Sequence, residues 1–197
     1  MNASTPEIIL ASSSIYRQRL LHQIGLEFRT VSPDVDEAPL QQNQQLTPKQ
    51  IAEQLAKLKA ESVAASCSNS IVIGSDQVCQ LNEIPLGKPG SREDNIEQLK
   101  QLSGKTHQLI TAVCICSGQN TYAFTDQTEL TIRPLTESEI IRYVERDQPY
   151  DCAGGYRWEG AGITLFEKIE TEDHTAILGL PLIRLVTVLR SLGIAIP

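Results

Sequence analysis

The run Ile71-Val72-Ile73-Gly74-Ser75-Asp76-Gln77 constrains the fold of this chain more than any other segment. Three β-branched apolar residues in succession read as a strand buried on both faces, and such a strand needs helices above and below it. Ile8-Ile9-Leu10-Ala11 reads as a second strand of the same kind. Between them, Ile15 to Ile24 carries apolar residues at helical spacing and closes at Gly25, while Glu27 to Val31 looks like a short strand ending at Ser32-Pro33. Residues 38–46 are Gln-rich and read as a solvated loop. Thr47-Pro48-Lys49-Gln50 has the form of a capping box with proline at the first helical position, and its helix sets Ile51, Leu55, Leu58 and Val63 broadly on one side.

After Ser75 a turn-rich segment runs through Gly87-Lys88-Pro89-Gly90, and Ser91 to Ser103 reads as a helix before Gly104. His107 to Arg133 has the pattern strand, turn, strand, bending at Ser117-Gly118-Gln119-Asn120. Thr136 to Glu139 starts another capped helix reaching about Arg146, Ile163 to Ile169 reads as a strand, and a last helix follows Gly179-Leu180-Pro181 and ends near Gly193. Strands alternating with helices, plus one hairpin, predict an α/β fold on a mixed sheet, without repeats or a linker.

The net charge of −7 excludes the broad basic face of a nucleic-acid binder, so no nucleic acid is expected as a partner. A local cluster of Lys and Arg can still hold a small anion. Met1 to Glu7 is polar, with no basic region leading into an apolar run, so no signal peptide is expected. No apolar stretch approaches the roughly 18 to 20 residues a spanning helix needs, so no membrane partner is expected either. Cys67, Cys79, Cys114, Cys116 and Cys152 lack CxxC spacing and read as reduced structural thiols of a cytoplasmic protein. His22, His107 and His174 are too scattered to point to a histidine metal site.

Four constellations carry chemistry. In Ala11-Ser12-Ser13-Ser14-Ile15-Tyr16-Arg17 a strand enters a serine-rich turn and then a helix, which suits phosphate; the plain alternative is a serine cap beside a solvated arginine. Asp76 follows the buried run, which puts its carboxylate just past a strand, at the carboxyl edge of the sheet, where it can hold a hard cation or deprotonate water; the plain alternative is a turn aspartate. Lys59 and Lys88 are candidate cations, with Lys88 set between glycine and proline, and Asp36-Glu37 offers further carboxylates; taken singly, each reads more simply as a solvated surface charge. In Asp151-Cys152-Ala153-Gly154-Gly155-Tyr156-Arg157-Trp158-Glu159-Gly160, aromatics and an acid among glycines suit a flat base that is stacked and read along its edge; the plain alternative is a loop with a core tryptophan.

The segments ILASSSIYR, VSPDVDE, IVIGSDQV, LGKP, LSGKTH, CAGGYRWEG and LGLPL, in this order from about Ile8 to Leu192, resemble the Maf family of nucleotide pyrophosphatases, also called septum-formation inhibitor proteins. The resemblance implies one domain over residues 1–197 with a two-lobed α/β fold on an elongated mixed sheet, similar to inosine triphosphatase. It further implies a nucleotide cleft between the lobes, a homodimer, and a small-molecule nucleotide as partner. The implied activity is hydrolysis of a nucleoside triphosphate to the monophosphate and diphosphate with a divalent cation (Mg2+, Mn2+ or Co2+). Carried over by motif, Asp76 is the catalytic residue and, with Glu37, the metal holder; Ser12, Ser14, Arg17, Glu37, Lys59 and Lys88 bind substrate.

The departures bear on specificity. Ile15 and Tyr16 stand where the family usually has proline and a first arginine, Gln77 replaces the threonine after the aspartate, and Glu159 replaces the glutamine of the pyrimidine-nucleotide branch. This set of Tyr16, Gln77 and Glu159 resembles the branch acting on 7-methyl-GTP, whose usual aromatic at position 16 is tryptophan. Chemistry supports the same choice. Guanine presents N1–H and a 2-amino group side by side, two donors that a carboxylate such as Glu159 accepts together. A cationic N7-methylated base stacked on Tyr16 or Trp158 gains about 0.5 to 2 kcal/mol of cation–π attraction. Two other readings stay open: a dTTP or UTP pyrophosphatase, and a regulator of cell division and septum formation that binds nucleotide without useful hydrolysis.

Overall fold

The computed structural model describes residues 6–67 and 69–196. Met1 to Thr5, which make up most of the stretch read as lacking a signal peptide, lie outside the described residues.

Seven strands and six α-helices are present among the described residues: β1 Ile8–Ala11, α1 Ile15–Gln23, β2 Arg29–Thr30, α2 Ala38–Gln41, α3 Pro48–Ala64, β3 Ile71–Leu81, β4 Ile84–Leu86, α4 Arg92–Leu102, β5 Thr106–Ser117, β6 Asn120–Ile132, α5 Glu137–Asp147, β7 Phe166–Glu170 and α6 Leu182–Ser191. The strands form one mixed sheet in the order β2-β1-β3-β5-β6-β7, with β4 also paired to β3. β1 runs parallel to both β2 and β3, Ile8 opposite Ile71 and Ala11 opposite Gly74. The pairs β3/β4 and β6/β7 are antiparallel. No helix among the described residues is long and apolar enough to cross a membrane. All five cysteines are unpaired.

Four local expectations are corrected. The strand from Ile71 does not stop at Ser75; its second half is extended by pairing with β4 across Asn82 and Glu83, both at positive φ as a tight hairpin requires. Ile163 to Leu165 belong to a 3-10 turn, Ala161–Leu165, so β7 begins only at Phe166. Within residues 38–46, the expected loop, Ala38–Gln41 is a helical turn with Pro39 in its first turn, a position that needs no amide hydrogen. Leu58 is 41% exposed, because the buried stripe of α3 is centred on Ala52, Ala56, Lys59, Ala60 and Val63.

The chain divides into two compact units: Met1–Asp76 with Thr111–Asp126 and Asp173–Pro197, and Gln77–Ile110 with Gln127–Glu172. In the first unit, alternate residues of β1, β3 and β5 (Ile8, Leu10, Ile71, Ile73, Val113, Ile115) join Leu20 and Leu21 of α1 and Leu185 and Leu189 of α6 in one apolar core. The intervening positions of β3, Val72, Gly74 and Asp76, therefore share the opposite face, and α3 packs there.

In the second unit α4 packs on α5, and His107, Tyr156 and Phe166 form a buried aromatic cluster. Burial pulls the His107 imidazole down to about 4, so the folded protein refuses a proton that the unfolded chain accepts near 6.5. Stability is therefore expected to fall as pH drops from about 6.5 through about 4, by up to about 3 kcal/mol from this residue. Urea unfolding of wild type and His107→Gln at pH 7 and pH 4.5 checks this: the variant's loss should be smaller, and equal losses in both would exclude His107 as the cause.

Candidate active site

Asp76 lies inside β3, not after it, but two residues beyond Gly74, where β1 ends, so the carboxylate still emerges past the carboxyl end of a parallel strand. Gly74 sets the distance to the covering helix. A Cβ there would stand 2.5 Å from Ala56 O and 2.6 Å from Ala60 N, so α3 is close enough only because the residue is glycine. That approach delivers Lys59, the residue before Ala60, to Asp76.

Lys59 Nζ donates to Asp76 Oδ1 at 2.7 Å and pairs with Glu37 Oε1 at 2.8 Å. The Lys59 and Asp76 side chains are 8% and 10% exposed, so the pair is largely desolvated, whereas Glu37 reaches solvent. Glu37 is the N-cap residue of α2, and Gln41 Nε2 donates to its other oxygen at 3.1 Å. The neighbouring Asp36 instead accepts the Ala38 amide and stays out of the group. Burial pushes the Asp76 carboxyl above its ordinary value; Lys59 and then Arg17 oppose the rise, and Glu37 adds to it. Burial likewise lowers the Arg17 guanidinium, with Asp76 and Glu37 opposing, and it stays cationic throughout.

The serine turn organises Arg17. Ser14 caps α1, accepting the Arg17 amide at 3.5 Å, and Ser12 Oγ accepts the Ser14 amide and Arg17 Nη1 at 3.1 and 3.3 Å. Arg17 Nε donates to Gly179 O at 2.9 Å. Tyr16, in the first turn of α1, is half-buried.

Of the residues expected in the site, Glu37, Lys59 and Asp76 are thus brought into contact, with Arg17 in their electrostatic field and Ser12 bound to Arg17. Gln77, Lys88 and Glu159 belong to the second unit. Lys88 and Glu159 are exposed there. The turn before Lys88 is fastened by Gln98 Nε2 donating to Gly87 O at 2.9 Å. The glycine loop before Glu159 is fastened by Asn95 Nδ2 donating to Gly155 O at 2.8 Å. Tyr156 is a core residue bonded to His107, and Trp158 stands half-buried with its ring 6.1 Å from that of Phe166.

No three His, Cys, Asp or Glu side chains among the described residues gather as a metal cage. Asp76 and Glu37 nevertheless converge on one cation, the Lys59 ammonium. Two carboxylates fit a hard divalent cation such as Mg2+, which dehydrates reluctantly and binds through one or two carboxylates plus substrate phosphates.

The family model described as Maf-like protein matches residues 7–192. The chain belongs to the Maf family. Curated Maf relatives of similar length include a 7-methyl-GTP pyrophosphatase of Polaromonas sp., 45% identical over 194 residues that cover 96% of this chain and 86% of the relative. Proteins of the same name from Bdellovibrio bacteriovorus and Xanthomonas oryzae pv. oryzae are each 44% identical, covering 94% and 98% of this chain and 96% and 100% of their own.

The sequence assigns no role to Ser75, Asn95, Gln98 or Gly179, although Ser75 and Gly179 lie within the segments IVIGSDQV and LGLPL. Three of them had a faint signal: Ser75 is a hydroxyl inside an apolar strand, while Asn95 and Gln98 sit three apart on the side of α4 that carries Leu99 and Leu102. All three are buried and bonded to a carbonyl of a distant segment.

Proposed function

We propose that this chain hydrolyses 7-methyl-GTP to 7-methyl-GMP and diphosphate, removing a modified nucleotide. The observation that carries the chemistry is the desolvated Lys59 ammonium held between Asp76 and Glu37, with Arg17 in the same field. The named relatives support the choice of substrate.

In the proposed reaction the oxygen of a water attacks the α phosphorus and the bond to the α–β bridging oxygen breaks, so diphosphate leaves with that oxygen. Asp76 takes the proton released by the water. Its Oδ1 is already aligned by Lys59, which also opposes the rise in the carboxyl's pKa that burial causes. Arg17 and Lys59 neutralise charge developing on the phosphates, in a site dry enough for those charges to act at full strength. Asp76 and Glu37 would hold a divalent cation, which supplies further neutralisation of the triphosphate. Motif likeness assigns Ser12 and Ser14 to the phosphates through Arg17 and its cap, Lys88 to the phosphate chain, and Tyr16, Gln77 and Glu159 to the base. The same likeness supports a homodimer, and unpaired thiols are consistent with the cytoplasm.

The test is diphosphate release from a panel of 7-methyl-GTP, GTP, dTTP and UTP with Mg2+ or Mn2+. 7-Methyl-GTP should give the highest kcat/KM, and equal or faster release from dTTP or UTP would overturn the substrate. Glu159→Gln should lower kcat/KM for 7-methyl-GTP by about tenfold or more, since a site built for two donors loses an acceptor, with little change for UTP. An unchanged ratio between the two substrates would remove Glu159 from base recognition.

A further inference from the structure

We propose that the carbonyl oxygen of Gly179, held by a clasp formed by Asp173 and Thr175, is a positioning device that aims Arg17; this rests on the phosphate-binding role assigned above to Arg17. The carbonyl accepts two hydrogen bonds, from Arg17 Nε at 2.9 Å and from Ser75 Oγ at 2.8 Å. Binding at Nε grips the guanidinium at its inner edge, and Ser12 takes Nη1. A long, rotamer-rich side chain is thereby ordered before any anion arrives. Ser75 precedes Asp76, so one oxygen links the arginine to the strand that carries the acid.

The carbonyl's direction is itself over-determined. Gly179 has φ 94°, in the left-handed region, and closes the 3-10 turn His174–Leu178 by donating its amide to Ala176 O at 2.8 Å. Asp173, only 4% exposed, accepts the Thr175 amide at 2.9 Å and the Thr175 hydroxyl at 2.6 Å on one oxygen. Its other oxygen accepts the Ile183 amide at 2.8 Å, in the first turn of α6. Thr175 Oγ1 in turn accepts the Leu182 amide at 2.9 Å. One carboxylate therefore fastens the chain on both sides of Gly179. The contact leaves little room: a Cβ at 179 would stand 3.1 Å from Arg17 Nε and 3.4 Å from Nη2.

A double-variant cycle tests this. Asparagine tolerates the left-handed region, so Gly179→Asn should fold, with its urea midpoint near that of wild type, yet its Cβ presses on the guanidinium. Expected is a drop of about tenfold in kcat/KM for 7-methyl-GTP, carried mainly by KM, because a shift of a few tenths of an ångström misplaces the fork. In an Arg17→Ala background Gly179→Asn should cost nothing further. Multiplying effects in the double variant, or an Arg17→Ala enzyme as active as wild type, would overturn the proposal. Should Gly179→Asn not fold, Thr175→Ser is expected to keep wild-type KM while Thr175→Val raises it; equal KM values for both would sink the clasp. The same variants are titrated with inorganic tripolyphosphate. If wild type fails to hydrolyse 7-methyl-GTP, the functional reading falls by itself, and the tripolyphosphate affinities still decide the role of Gly179.

Discussion

Asp76→Asn is expected to lower turnover of 7-methyl-GTP by about 10^3-fold while the protein stays folded, since a carboxylate that receives the proton of the attacking water contributes roughly 10^2- to 10^4-fold. The amide is isosteric and can still accept from Lys59, so secondary structure and core packing should survive. In wild type, kcat/KM should fall on the acid side through an inflection above the ordinary carboxylate range, because burial favours the neutral acid. Steady-state diphosphate release between pH 5 and 9, with circular dichroism on the variant, checks both statements. Turnover within tenfold of wild type in a folded Asp76→Asn protein would falsify the assignment.

Lys59→Met should show the second largest effect, and on two quantities at once. Methionine keeps much of the stem volume and deletes the charge, leaving Asp76 desolvated and facing Glu37 with only Arg17 to compensate. Breaking a buried pair on one side costs about 3 kcal/mol or more, and the loss of phosphate neutralisation should lower kcat/KM by about 10^2-fold. The pH dependence follows from the direction of the Asp76 shift. A carboxyl whose folded pKa lies above its ordinary 3.8 binds its proton more tightly in the folded state, so stability is lost as pH rises through that range and regained as it falls. Without the ammonium the shift grows, so the destabilisation of Lys59→Met relative to wild type should be large at pH 8 and smaller at pH 5. Taking the difference between the two proteins cancels the opposite trend from His107. A stability difference independent of pH would mean that methionine disturbs packing alone.

The burial of Lys59 is legible in the pattern of α3. Leu55, Lys59 and Val63 are four apart, and Ala56 and Ala60 flank the lysine, so the charge lies in the middle of the apolar stripe of α3. A lysine there is either buried with a partner or expelled to solvent, and only the partner decides which. A stripe drawn through Leu58 is rotated away from this face, and Leu58 lies on its exposed side. Residues 38–46 were opaque for a different reason. A helical turn of four residues, Ala38–Gln41, is too short to show an apolar period, and it packs on α3, yet it is what presents Glu37 to Lys59.

Local chemistry by itself determined the two buried strands at Ile8 and Ile71, the capping boxes at Thr47 and Thr136, the hairpin bend near Gly118 and the family motifs, because each depends on residues close together along the chain. Only the tertiary structure decided that Asp76, Lys59 and Glu37 share two short ion pairs, that Gly74 is glycine so that a helix can press on its strand, and that a carbonyl 162 residues away grips Arg17. The physical reason is that spacing along a chain fixes periodicity and caps, whereas the protonation and aim of a buried charge depend on desolvation and on partners from remote segments.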